Sequence, residues 1–132
     1  MLIRWLLWVD CLGAALAGVL VVALAEWLGR LEGLPPRVLL LTGAANLLYG
    51  SYSFSLAVRT RRPLRGVERL AIANMAWPAV CVALLTAYAE TATPFAYAHL
   101  GGEAVYVAGL GLLEWTYRHR LAAVDQPHAA PA

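Results

Sequence analysis

Hydrophobic residues gather along this chain in four blocks, with polar residues between the blocks or at helical spacing inside them. The first block covers residues 5–29 and is interrupted by acids only at Asp10 and Glu26. The second, 38–58, and the third, 70–89, carry no charge at all. The fourth, 95–118, places His99, Glu103, Tyr106, Leu110, Glu114 and Tyr117 at spacings of four, three, four, four and three. Those spacings lay the six residues along one face of an α-helix, five of them polar, with Leu110 an apolar gap. Each block is about 20 residues or longer, the length that spans a hydrocarbon core of roughly 30 Å.

The blocks predict four helices over residues 5–29, 36–58, 67–90 and 94–118, forming one domain over residues 1–120 with a loose tail over 121–132. Punctuation agrees. Pro35 and Pro36 open the second helix, and Thr93 with Pro94 supplies an N-cap and a first helical residue for the fourth. A soluble bundle would show a polar outer face on each helix. Here the faces away from the few polar residues are Leu, Val and Ala, so the expected class is all-α integral membrane, a bundle of four transmembrane helices. The composition, 61% hydrophobic and 14% charged over 132 residues, strengthens that reading. Ala23-Leu24-Ala25 resembles a signal-peptide cleavage site, but the apolar run is too long for an h-region and Asp10 lies within it, so a retained helix is expected.

Arginine sets the orientation, because the chain has no lysine. With four crossings, Arg4, Arg59, Arg61, Arg62, Arg65, Arg69, Arg118 and Arg120 fall on one side and Arg30 and Arg37 on the other. The positive-inside rule puts both termini and the middle loop in the cytoplasm, in a bacterial inner membrane. Trp5, Trp8, Tyr52, Trp115 and Tyr117 near the inner ends, and Trp27, Tyr88 and Tyr97 near the outer ends, form aromatic belts. The basic loop over 59–69 reads first as a topology signal and second as a contact for anionic lipid headgroups. No basic domain accompanies it, which excludes a nucleic-acid partner.

The candidate chemistry lies on the polar seams. Helix one carries Asp10 and then Gly13, Ala14, Ala17 and Gly18, small residues that let another backbone come close. Helix two carries Gly43, Asn46, Gly50 and Ser53. Helix three has Asn74, Trp77, Pro78 and Cys81 along one side, and Pro78 deprives the Asn74 carbonyl of its helical partner. Tyr49, Ser51, Ser53 or a water is expected to supply a donor there. Counted by depth, the seams predict one polar track: Glu103 and His99 outermost, Asn46 between, then Asp10, Asn74 and Glu114. Asp10 also reads as a half-solvated acid near a helix N-terminus, and Glu114 as an interfacial acid paired with Arg118. Glu26 and Glu90 are given no role. Glu103 is the hardest to dismiss, since an intramembrane acid is protonated, paired with His99 or facing water.

Proton-coupled transport needs a carboxylate with an imidazole or phenol close by, and Glu103, His99 and Tyr106 answer that description. One histidine and one acid per chain are too few for a metal site, and His119 and His128 lie outside the membrane, which excludes bis-histidine haem. No cofactor is implied. The hydrolase and phosphate-loop patterns are absent, and Cys11 and Cys81 read as buried packers. In size and helix count alone the chain is similar to small multidrug exporters and fluoride channels. Its deepest acid is in the fourth helix instead of the first, and the glycine-arginine signature of the fluoride channels is missing.

Three functions follow from these readings. The first is a transporter or channel for a proton, ion or small polar solute, associating as a homodimer because four helices leave little room for a pathway. The second is a non-catalytic subunit or assembly factor of a larger membrane complex, with the seams as glue between helices. The third is a membrane-embedded enzyme on a lipid or quinone, with His99 and Glu103 as acid–base pair. No catalytic residue is assigned, and an enzyme is the least favoured of the three.

Overall fold

The computed structural model describes residues 2–123. The expected tail lies outside the described residues from position 124 onward, and so does His128. Five helices follow one another: α1 Leu2–Ala23, α2 Ala25–Glu32, α3 Pro36–Ala57, α4 Leu64–Ala87 and α5 Pro94–Ala122. The described chain is all-α, with no strand. Two stretches, Trp5–Ala23 and Leu64–Ala87, are long and apolar enough to cross a membrane.

The expected first helix is two helices. The chain breaks at Leu24 (φ −108°, ψ 14°), which caps α2. No proline or glycine sits at the break, and the short helix beyond it is held by tertiary contacts. Ala25, Gly29 and Glu32 share the buried face of α2. At its end, the Leu31 carbonyl accepts the Thr93 hydroxyl at 2.7 Å and the Glu32 carbonyl accepts the Thr93 N–H at 2.9 Å. Thr93 thus holds the N-cap position of α5 without capping it, because its hydroxyl is spent on α2. Gly33 turns the chain with φ +72°, where a Cβ would strike the Thr91 carbonyl. α5 runs past Arg118 to Ala122, with His119 and Arg120 in a last turn whose dipole favours cations.

α1 packs along α3, and α4 along α5. The first seam is built on small residues: a Cβ on Gly18 would lie 2.9 Å from the Gly43 carbonyl oxygen, and Gly50 faces the Ala15 nitrogen. In the second, Gly111 meets the Ala71 carbonyl and Asn74. Two apolar clusters close the ends. Leu7, Cys11, Leu56, Val67, Leu70 and Leu121 fill the end that carries the middle loop. Val21, Leu34, Leu39, Cys81, Ala96 and Leu100 fill the far end. At the first end Arg62 is buried, and its guanidinium donates to the carbonyls of Leu56 and Ala57, where α3 ends, and to Leu121 near the end of α5. This arginine staples helix termini and is not presented to lipid headgroups. Arg59, Arg61, Arg65 and Arg69 remain exposed.

The distribution of polarity is the reverse of a water-soluble core. Leu48 and Val105 are 74% and 76% exposed, whereas Asp10 and Glu114 are 2% and 0% exposed. Between the two apolar clusters lies the polar middle of the protein.

Candidate functional site

Two polar layers cross that middle. In the layer nearer the middle loop, Asp10 of α1 is the centre. Its Oδ2 accepts hydrogen bonds from the Tyr49 hydroxyl at 2.8 Å and the Ser53 hydroxyl at 2.5 Å, both from α3. Its Oδ1 accepts from Asn74 Nδ2 of α4 at 3.1 Å, and the same nitrogen donates to Glu114 Oε2 of α5 at 3.0 Å. Glu114 Oε1 is buried with no partner. Four helices therefore meet at two buried carboxyl groups, and no cationic side chain bonds to either among the described contacts. Burying such groups is costly unless donors, a proton or a cation offset the charge.

The donors expected for the Asn74 carbonyl are engaged elsewhere. Tyr49 and Ser53 serve Asp10, and Ser51 returns to the Leu47 carbonyl on the exposed side of α3. Asp10 and Glu114 are not the half-solvated and interfacial acids of the alternative reading. Arg118, the expected partner of Glu114, lies 3.6 Å from Glu68 and over the Trp115 ring.

The far layer centres on Glu103 of α5. Its Oε1 accepts from Asn46 Nδ2 and from the Trp77 indole N–H, both at 2.9 Å. Its Oε2 lies 3.9 Å from His99 Nε2, one helical turn away. The closest partner of His99 is not Glu103 but Glu32 at the end of α2, whose Oε1 is 2.7 Å from Nδ1. Glu32 is 2% exposed, and its other oxygen has no partner. Tyr106 stands apart from the pair it was grouped with. Its hydroxyl reaches the Val9 carbonyl at 3.4 Å, over Gly13 of α1.

A cavity of about 250 Å³ separates the layers. Asp10, Asn74 and Tyr49 line it from one side and Asn46, Trp77 and Glu103 from the other, with Tyr106 and small residues of α1 between. The expected track residues are therefore gathered around one space: Glu103, Asn46, Asp10, Asn74 and Tyr106 line it, while His99 and Glu114 stand one residue behind. Among the described residues no group of three or more His, Cys, Asp or Glu is placed to hold a metal ion. Cys11 and Cys81 are buried in separate clusters at opposite ends.

Sequence reasoning missed Glu32. An acid beside Gly33 and Leu34-Pro35-Pro36 reads as a solvated loop residue. The available signal was the spacing Ala25, Gly29, Glu32, which puts it on the small-residue face of a short helix. The chain matches no protein-family model, and neither the curated proteins nor the solved structures contain a match.

Proposed function

We propose that this chain is an integral membrane protein that crosses the bilayer four times, through α1, α3, α4 and α5, and moves protons, coupled to or in place of an ion or small polar solute, along its polar middle. The observation that carries the reading is the cavity between two carboxyl-bearing layers, inside a protein whose outer surface is Leu, Val and Trp. Part of the polarity of α3 and α5 is turned inward: Asn46, Gly50 and Ser53 are buried in one, and Glu114 is buried and His99 and Glu103 half-buried in the other. Intramembrane acids facing a cavity commonly mark proton or ion pathways. The eight-to-two arginine asymmetry argues for cytoplasmic termini and a bacterial inner membrane. The narrow space within one subunit argues for a homodimer. Exposed arginines of the middle loop are available to anionic headgroups.

Reconstitution into proteoliposomes under an imposed pH gradient tests this. The Glu103→Gln variant keeps an oxygen for Asn46 and Trp77 while removing the titrating group, and its proton flux should fall to that of empty liposomes. Flux equal to the unmodified protein would remove the carboxylate from the mechanism. One observation favours a second reading, a structural subunit of a larger complex: both oxygens of Asp10 are saturated by donors from α3 and α4, as glue would be. Co-purification of a larger partner, with no flux from the isolated protein, would select it.

A further inference from the structure

The residue that no transport argument has yet used is Glu32. Its carboxylate is buried, and among the described residues one oxygen has no partner and the other pairs with a single side chain, His99. The contact is held from both sides. Thr93 binds the Leu31 and Glu32 carbonyls, so the end of α2 is fastened to the start of α5, and His99 follows in the second turn of that helix. His99 in turn is 31% exposed, in a groove of about 480 Å³ between α1, α2 and the start of α5. Leu20, Leu24, Leu28 and Phe95 wall this groove, and Glu32 and His99 are its polar residues. The ionisable groups acting on His99 are Glu32 from α2 and Glu103 from its own helix. Leu20 of α1 and Leu24 at the break bring no charge, and α4 faces this end with the apolar Cys81 and Leu84.

A carboxylate that accepts from one ring nitrogen fixes the tautomer of a neutral imidazole and leaves the other nitrogen's lone pair available. Here that other nitrogen is Nε2, and it points toward Glu103. We propose that Glu32 is the positioning residue of a proton entrance: it holds the proton of neutral His99 on Nδ1, so that Nε2 takes a proton from the far-end groove and passes it to Glu103 Oε2. The steps balance in protons alone. A proton adds to Nε2 and gives the imidazolium, whose charge Glu32 offsets. The Nε2 proton then moves to Glu103 across the present 3.9 Å, through a bridging water or a ring rotation, and His99 returns to its neutral form with Nδ1–H still on Glu32. The inference rests on the proton-transport reading and adds a side and a direction to it: protons arriving from the far end pass His99 before Glu103.

Two measurements on the full chain in lipid separate this inference from the reading beneath it. The first is nitrogen-15 NMR of the histidine rings, with the His99 signals assigned by their loss in His99→Asn. The neutral ring should carry its proton on Nδ1, and that preference should be lost in Glu32→Gln. A ring protonated on Nε2 in the unmodified protein overturns the proposal. The second is proteoliposome flux as the pH on the far side alone is varied. Glu32→Gln should lower flux about tenfold in both directions, the equivalent of one charge-assisted hydrogen bond, because a proton leaving Glu103 for the far side retraces the same step. It should change the dependence of flux on far-side pH while leaving the dependence on opposite-side pH nearly unchanged. Glu32→Asp, which keeps the charge but shortens the reach, should restore part of the loss. If Glu103→Gln abolishes flux while Glu32→Gln leaves both the flux and its dependence on far-side pH unchanged, the entrance is wrong and the transport reading survives. If Glu103→Gln leaves flux intact, Glu103 is off the path and the entrance fails with it; if the unmodified protein passes no more protons than empty liposomes, the transport reading itself fails.

Discussion

The two polar layers differ in how completely the protein encloses them. The Asp10 layer is sealed: Asp10, Ser53, Asn74 and Glu114 are all buried, and donors from two helices converge on one carboxylate. The far layer is open at its edge. Both layers border the cavity, but here the carboxyl and its imidazole neighbour are part exposed, Glu103 at 14% and His99 at 31%, and the pair is held by a short helix fastened through one threonine. A sealed network is expensive to disturb, because each group removed leaves another buried and unpaired. An open one tolerates change in stability and, on the proposed reading, registers it in proton movement. The layers thus suggest a division of labour, with the first holding four helices in register and the second exchanging with the outside.

The hardest test of that contrast is Asn74→Leu. One nitrogen serves both Asp10 and Glu114, so its loss leaves two buried carboxyl groups short of a donor at once. The expected cost is about 3 kcal/mol, read as a lowered unfolding midpoint in detergent. A loss as small as that of a surface substitution would mean that the layer is hydrated and not sealed. Tyr49→Phe asks the same question more gently. It removes one of three donors to Asp10 and should cost about 1.5 kcal/mol, without altering which side drives flux.

How far the sequence foretold these layers depends on the kind of contact involved. The prolines at 36 and 94 marked two helix starts correctly, since a missing N–H and a fixed φ are local properties. The stripe on the last helix foretold that Glu103 and Glu114 share a face with His99, which needs only the helical repeat. Enclosure was not legible. Asp10 and Glu114 lie within two turns of arginines and aromatics in the sequence, and only the packing of α1, α3, α4 and α5 around Asn74 encloses them. The break at Leu24 was invisible for a related reason. The short helix that follows it is fastened at its other end by Thr93, 62 residues beyond Leu31, and no proline or glycine in Ala23-Leu24-Ala25 announces it.

Thr93→Val bears on the open layer. The substitution keeps the β-branch and removes the hydroxyl bond to Leu31, so the stability loss should be about 1 kcal/mol. The backbone bond from Thr93 to Glu32 remains, and α2 should stay near its place. Hydrogen exchange would read the local effect as faster exchange at Gly33 and Leu34, whose N–H groups close α2, with the Asp10 layer unaffected. Equal acceleration in α3 around Ser53 would show that the two layers open together, and the division between them would fall.

The smallest effect is expected at Tyr106, which belongs to neither layer. Its phenol lies 46% exposed across Gly13, and its one hydrogen bond, to the Val9 carbonyl, is long at 3.4 Å. Tyr106→Phe keeps the ring that covers Gly13 and loses only that weak contact, so stability should change by less than about 0.5 kcal/mol. The informative quantity is flux. Tyr106 lines the same cavity as Asp10 and Glu103, between the two layers. If protons cross from one layer to the other through water, the phenylalanine variant should conduct like the unmodified protein. If its flux falls while its stability does not, the hydroxyl is a step in the path, and the open and sealed layers are joined through α1 at Val9 and not through the cavity alone.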